Sequence, residues 1–207
     1  MSLVTAGREQ PGNRQVSSRI RNTFRMPVVI FSGFWIMFWQ IFYSFPFYVR
    51  DVLHYPKFEI METVDAWTII LVTVPATALA QKLSPMRAMT LGFALATVCW
   101  FVMGLGPKTV PVAVAAIVLF ALGEAVQAPR FYEYVSDLAP KDQVGTYMGF
   151  AFLPVAIGTF GAGAIAGKLV EHYIGTTKDG VLTPGPGAAD PGQMWLICLL
   201  YTSDAAD

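Results

Sequence analysis

The chain has 207 residues, of which 55% are apolar and only 14% charged, and its formal net charge is zero. The charges gather between long apolar runs, a pattern that excludes an ordinary soluble domain. Two cysteines and two histidines at unrelated positions offer no disulfide framework and no metal-ligand spacing. We therefore predict an integral membrane protein that contacts the lipid bilayer, without metal, cofactor or nucleic acid.

Each apolar run approaches the roughly 20 residues that cross about 30 Å of hydrocarbon. The predicted helices occupy residues 27–49, 66–83, 86–105, 111–136 and 146–170, and a sixth begins at residues 194–197. The predicted fold is therefore an all-α membrane protein whose last helix is truncated. Residues 1–26 are predicted to be a leader or linker, and the Gly/Pro-rich segment 175–193 a flexible, exposed connection.

Basic residues set the predicted orientation. Lys and Arg near helix ends are retained on the cytoplasmic side, and the leader has five arginines: Arg8, Arg14, Arg19, Arg21 and Arg25. The N-terminus is predicted to be cytoplasmic, and the expected location is a bacterial inner (plasma) membrane. Such a leader could also bind nucleic acid or anionic lipid, but topology explains it adequately.

Glu124 is a single carboxylate inside the apolar run 110–128. An ionisable side chain in hydrocarbon costs at least about 2.5–3.5 kcal/mol, so it normally faces a polar cavity or a partner. Helical spacing places Gln127 on the same face. We predict that Glu124, with Gln127 beside it, binds a substrate or a proton. The alternative is a structural carboxylate paired to a neighbouring helix.

Two further sets of polar residues accompany Glu124. Arg130 and Glu133 are three residues apart and are predicted to form either a structural ion pair or a gate. The first span has an aromatic stripe of Trp35, Trp39 and Tyr43, with the amide of Gln40 at mid-span. We predict that this stripe and Gln40 form the other wall of a substrate cavity; simple packing or lipid contact is the alternative for the aromatic residues.

The fifth span is rich in glycine. Small residues let membrane helices approach closely, and helix packing is predicted here in preference to nucleotide binding. The predicted packing glycines are Gly145, Gly149, Gly158, Gly163 and Gly167.

The stretch GEAVQAPRFYEYVSDLAPKDQVGTYMGFAFLPVAIGTFGAG, residues 123–163, resembles the tenth and eleventh helices of the proton-dependent oligopeptide transporters, a branch of the major facilitator superfamily. The matching positions include Gly123-Glu124, Pro129, Ala139-Pro140, Gly145 and Met148-Gly149. FWIMFWQ in the first span is similar to that family's seventh helix, which places Trp35 and Gln40 near the cavity. In that family the glutamate after the glycine is associated with binding the peptide amino terminus, a role that maps onto Glu124.

The resemblance implies the C-terminal six-helix half of a major-facilitator-type fold, with a missing N-terminal six-helix half as its partner. It implies a secondary active transporter, not an enzyme, that moves a small organic solute, possibly a di- or tripeptide, with protons by alternating access. The chain departs from the family at Ala128, where Ser is usual, and at Arg130-Phe131-Tyr132, where Gly-Leu-Ser is usual. A transporter of another solute (sugar, drug or siderophore-type) and a non-transporting membrane sensor or assembly protein are the alternatives.

The last ten residues, CLLYTSDAAD at positions 198–207, resemble the translation of a transposase sequencing adapter. We expect this tail to be non-native and the chain to be a fragment.

Overall fold

The computed structural model describes residues 31–178 and 180–203. The leader 1–26, the start of the first predicted span at 27–30 and the end of the tail at 204–207 lie outside the described residues. The chain is helical over residues 31–43, here α1. The following elements are α2 (Phe45–Phe47), a π-helical turn (Tyr48–Val52), α3 (Phe58–Ala80), α4 (Pro85–Leu105), α5 (Val110–Leu138), α6 (Val144–Ala151), α7 (Leu153–Tyr173), β1 (Gly175–Lys178), β2 (Val181–Pro184) and α8 (Gln193–Ser203).

Among residues 31–178 and 180–203, four segments are long and apolar enough to cross a membrane: α3, α4, α5 and the stretch Val144–Tyr173 that comprises α6 and α7. A helix of 21 residues such as α4 is about 31 Å long at 1.5 Å per residue, which matches the hydrocarbon thickness. Proline in the first turn of α4, α5 and α7 favours these helix starts, because the missing N–H has no intrahelical partner there. The predicted all-α membrane fold is confirmed.

Three helices differ from the prediction. The first, predicted at 27–49, is interrupted at Ser44 and continues as α2 and the π-helical turn to Val52. α3 begins at Phe58, about two turns before residue 66, because Phe58, Met61 and Asp65 lie on one helical face and Met61 and Asp65 are buried. The predicted helix 146–170 is interrupted at Phe152, between α6 and α7. Pro154 lacks the N–H that would continue the helical hydrogen bonding through this point.

The core is aromatic and centres on α4 and α5. Trp195 of α8 stacks on Trp100 of α4, with ring centroids 5.0 Å apart and planes inclined by 13°. From α1, Phe38 contacts Phe120 of α5 at 5.5 Å between ring centroids. Such aromatic contacts give each helix pair a defined register in addition to buried apolar area.

The predicted flexible connection 175–193 contains regular structure. β1 and β2 pair as an antiparallel hairpin in which Lys178 faces Val181, and Gly180 adopts a positive φ of 78°, which glycine tolerates without steric cost. The next turn is held by Lys108 of the α4–α5 loop, whose Nζ lies 3.2 Å from Oδ1 of Asp190. The ammonium of Lys108 holds the pKa of Asp190 below its ordinary value.

Candidate functional site

Helices α4 and α5 touch through their backbones at Gly92 and Gly123. A Cβ added to Gly123 would lie 2.6 Å from the carbonyl oxygen of Gly92, and one added to Gly92 would lie 2.5 Å from Cβ of Gln127. A side chain at either position would therefore force the helices apart. Since successive helical residues turn by about 100°, the residue after Gly123 is directed away from this crossing, which sets the direction of Glu124.

Glu124 is partly buried, and its Oε2 atom is fully enclosed without a hydrogen-bond partner among the described residues. Its position, fourteen residues into α5, places it about 21 Å along the helix axis. An enclosed carboxylate oxygen without a donor is costly. Binding of a substrate or a proton by Glu124 stays a prediction, and no group among the described residues occupies the position of such a partner.

Asp65 of α3 is a second carboxylate of the same kind, and the sequence analysis missed it. Its side chain is 6% exposed, and its Oδ1 atom has no hydrogen-bond partner in the described part of the chain. The prediction had placed Asp65 in a loop. The sequence does contain a signal for this, because Phe58, Met61 and Asp65 recur at helical spacing. That spacing predicts a helix that starts about two turns before residue 66.

Gln127 turns toward α4. It is buried, and its Cβ packs against Gly92. Its Oε1 atom has no hydrogen-bond partner among residues 31–178 and 180–203. Contact of Gln127 with a solute stays a prediction.

Arg130 and Glu133 form the ion pair that their spacing predicts. The guanidinium of Arg130, 6% exposed, also donates a hydrogen bond of 2.5 Å to the carbonyl oxygen of Leu83. Leu83 lies just beyond the end of α3, so Arg130 fastens that end to α5. The contact is structural in this conformation, and a gating role stays a prediction.

The side-chain amide of Gln40 forms three hydrogen bonds. Its Nε2 donates to the carbonyl oxygens of Ala162 in α7 at 3.2 Å and of Ile36 at 3.3 Å, while its Oε1 accepts a hydrogen bond of 2.5 Å from Ser44 Oγ. The mid-span amide therefore joins α1 to α7. A direct contact between Gln40 and a solute would require these bonds to be exchanged.

The aromatic stripe of α1 is partly buried. Trp39 stacks on Tyr43 with ring centroids 5.8 Å apart, and its Nε1 is buried without a hydrogen-bond partner among the described residues. Phe31 contacts Phe131 and Phe38 contacts Phe120, so the part of α1 level with Glu124 lies between Phe31 and Phe38. Trp35 is in that interval, and Trp39 and Tyr43 lie beyond it.

The family model described as the Major Facilitator Superfamily matches residues 4–163. The chain belongs to the major facilitator superfamily. Members of this superfamily are transporters and not enzymes, and they typically bind small solutes within the membrane. No curated protein and no solved structure matches the chain. The predicted superfamily and the predicted integral membrane location are thus confirmed.

The five predicted packing glycines of this facilitator chain differ in how closely a neighbouring helix approaches them. At Gly158 an added Cβ would collide with Cβ of Trp35 and lie 3.0 Å from the carbonyl oxygen of Ser32, so α7 crosses α1 there at close range. An added Cβ at Gly163 meets only Tyr43, at 3.9 Å, and at Gly145, Gly149 or Gly167 it meets no described atom within 4 Å. For these last three, packing stays a prediction that concerns contacts outside the described residues.

Proposed function

We propose that this chain is the C-terminal six-helix half of a proton-coupled transporter of a small organic solute with an ammonium group, for which di- and tripeptides are the first candidates. The observation that supports this most strongly is the enclosed, unpartnered Oε2 of Glu124 within a membrane-spanning helix. A charge left uncompensated in such a site is strongly destabilising. A proton or a substrate ammonium would remove that cost.

Asp65 strengthens the argument, because it adds a second enclosed carboxylate oxygen without a described partner, on a helix that packs against α5. The nearest basic residue of α5, Arg130, is already bonded to Glu133 and to the carbonyl of Leu83. Two carboxylates without a described basic partner favour cations and disfavour anions. This electrostatic preference fits proton coupling and an ammonium-bearing solute.

Alternating access needs a second wall that faces this site. Facilitator transporters place substrates near the bilayer midplane, between two repeats that move against each other. Large apolar side chains of α7 such as Ile157 and Phe160 are exposed, and lipid or the N-terminal half would cover them. In this proposal the N-terminus is cytoplasmic, the membrane is a bacterial inner membrane, and the aromatic stripe of α1 with Gln40 lines or supports the cavity.

A second candidate is a facilitator transporter of another solute class, such as a sugar, a drug or a siderophore-type compound. Arg130 and Phe131 favour it, because both are buried where the peptide transporters have Gly and Leu. Phe131 contacts Phe31 of α1 at 4.2 Å between ring centroids. Such bulk beside the predicted cavity would change the size of solute that fits.

The test is uptake of labelled dialanine into proteoliposomes that contain the full-length transporter, driven by an inwardly directed proton gradient. Glu124→Gln is expected to lower proton-driven accumulation by at least about tenfold, an effect of ~1.4 kcal/mol. Glu59→Gln, at an exposed position in the first turn of α3, is the control and keeps wild-type uptake.

Full proton-driven uptake by Glu124→Gln would refute the role of Glu124. Wild-type protein that does not take up dialanine but accumulates another solute under the same proton gradient would favour the second candidate.

A further inference from the structure

A groove with a volume of about 320 Å³ runs between α3, α4 and α5, and all of its lining side chains are apolar. The residues that define it best are Pro75, Leu79, Leu83, Leu91, Leu95 and Val126. Water would find no hydrogen-bonding partner in such a groove. Its natural occupant inside a membrane is hydrocarbon.

The groove lies in the half of the helices next to the α3–α4 connection. Leu83 belongs to that connection, and Leu91 is six residues into α4. Two basic residues flank the same connection: Lys82 and Arg87, both exposed. Among the described residues neither forms an ion pair. Within the described part of the chain, two positive charges without an ion-pair partner therefore lie at the end of an apolar groove.

A third positive charge lies at this end. Arg130 donates a hydrogen bond to the carbonyl oxygen of the groove residue Leu83, and its Nε is enclosed without a hydrogen-bond partner among the described residues. Glu133, which pairs with Arg130, offsets part of this charge. Lys82 and Arg87 remain available to an anion.

We propose that this groove binds one acyl chain of an anionic phospholipid, whose phosphate is held by Lys82 and Arg87. The argument is charge complementarity: basic residues at the membrane surface attract anionic headgroups, while the groove accepts a hydrocarbon chain. This lipid site is separate from Glu124. Leu122 and Val126 of α5 form its floor, on the helix that also carries Glu124, so a bound lipid would stabilise the α3–α5 contact.

The headgroup contact is tested by native mass spectrometry of the full chain in detergent with added dioleoyl phosphatidylglycerol or dioleoyl phosphatidylcholine. The wild type is expected to retain phosphatidylglycerol at least about fivefold better than phosphatidylcholine. The double substitution Lys82→Gln/Arg87→Gln removes that preference. The control Lys57→Gln/Lys168→Gln, at exposed positions away from the groove, keeps it. A preference that survives Lys82→Gln/Arg87→Gln would overturn the proposal.

The groove itself is tested by filling it. Leu79 lines the groove and is 64% exposed, so Leu79→Trp fits without overpacking the interior; Leu71, 71% exposed and outside the groove, provides the control Leu71→Trp. Leu79→Trp is expected to lower phosphatidylglycerol retention at least about threefold relative to Leu71→Trp. Equal retention by the two variants, each monodisperse on size exclusion, would mean that the lipid binds only at the surface charges, and the groove proposal would be wrong.

Discussion

Two charged residues six positions apart on α5 differ in the partners that the fold gives them. Arg130 is enclosed, and its guanidinium is bonded to a carboxylate on its own helix and to a carbonyl oxygen beyond the end of α3. Glu124 lies at the middle of α5, and its Oε2 is enclosed without a hydrogen-bond partner among the described residues.

The difference shows that a charge within a membrane helix is not by itself evidence of function. The two Nη atoms of Arg130 find partners inside the chain, so most of its buried charge is compensated there, although its Nε has no described partner. The Oε2 of Glu124 has no hydrogen-bond donor among the described residues, and Oδ1 of Asp65 is a second oxygen in the same position. A functional role is expected where compensation must come from outside the chain.

The largest expected effect concerns stability. Arg130→Ala should lower the free energy of unfolding by roughly 2–3 kcal/mol, because it frees the carbonyl of Leu83 and breaks an ion pair whose partner is 48% exposed on its side chain. Glu124→Gln should change it by less than about 0.5 kcal/mol or increase it. Unfolding by sodium dodecyl sulfate in mixed micelles measures the free energy of unfolding of both variants. Equal destabilisation by the two substitutions would contradict the proposed difference between Arg130 and Glu124.

The second prediction extends the comparison to α3. Asp65→Asn should reduce proton-driven solute uptake by about tenfold, equal to ~1.4 kcal/mol, without loss of stability, because the amide removes a buried charge that has no described partner. The measurement is initial uptake rate against external pH. Asp51→Asn is the control, since Asp51 is paired with Arg50 in the π-helical turn Tyr48–Val52. Unchanged uptake and pH dependence in Asp65→Asn would remove Asp65 from the site.

A smaller effect separates the structural and solute-binding interpretations of Gln40. Gln40→Leu should cost about 1 kcal/mol of stability, because the carbonyl of Ala162 loses its donor. Uptake per folded molecule should stay within about twofold of the wild type. Normal stability together with a raised KM would instead mean that Gln40 binds the solute directly.

The smallest effect concerns the contact between the α4–α5 loop and the turn after β2. Lys108 lowers the pKa of Asp190 from its ordinary value of 3.8, so the contact stabilises the folded protein at pH values above 3.8 and is lost as the pH falls through the lower, folded pKa. The difference in melting temperature between wild type and Asp190→Asn should therefore be present at neutral pH and vanish in acid. A difference that grows in acid would contradict this sign.

Much of the fold is predictable from the sequence because the membrane limits the choices. The helix predicted at 86–105 is observed as Pro85–Leu105, since Pro85 favours its start and the Gly106-Pro107 pair its end. The start of α3 and the interruption at Phe152 were not predicted. The first depends on burial of Met61 against the other helices, and the second on how Pro154 is accommodated.

The site was predictable only in part, for similar reasons. Glu124 is conspicuous because it stands alone in an apolar run. Asp65 follows a polar loop, so it becomes visible as an intramembrane residue only when α3 is extended to Phe58. The bond from Gln40 to Ala162 joins residues 122 positions apart, and no local pattern indicates it.

The most direct test of the central claim is infrared difference spectroscopy of the full-length protein in lipid, recorded as the pH is lowered with and without dialanine. The account predicts a protonated-carboxyl band with one component that is present in the wild type, in Glu59→Gln and in Asp65→Asn, is missing in Glu124→Gln, and shrinks when the solute is added. A band that is identical in wild type and Glu124→Gln would contradict the assignment of Glu124 as the group that exchanges a proton for the solute.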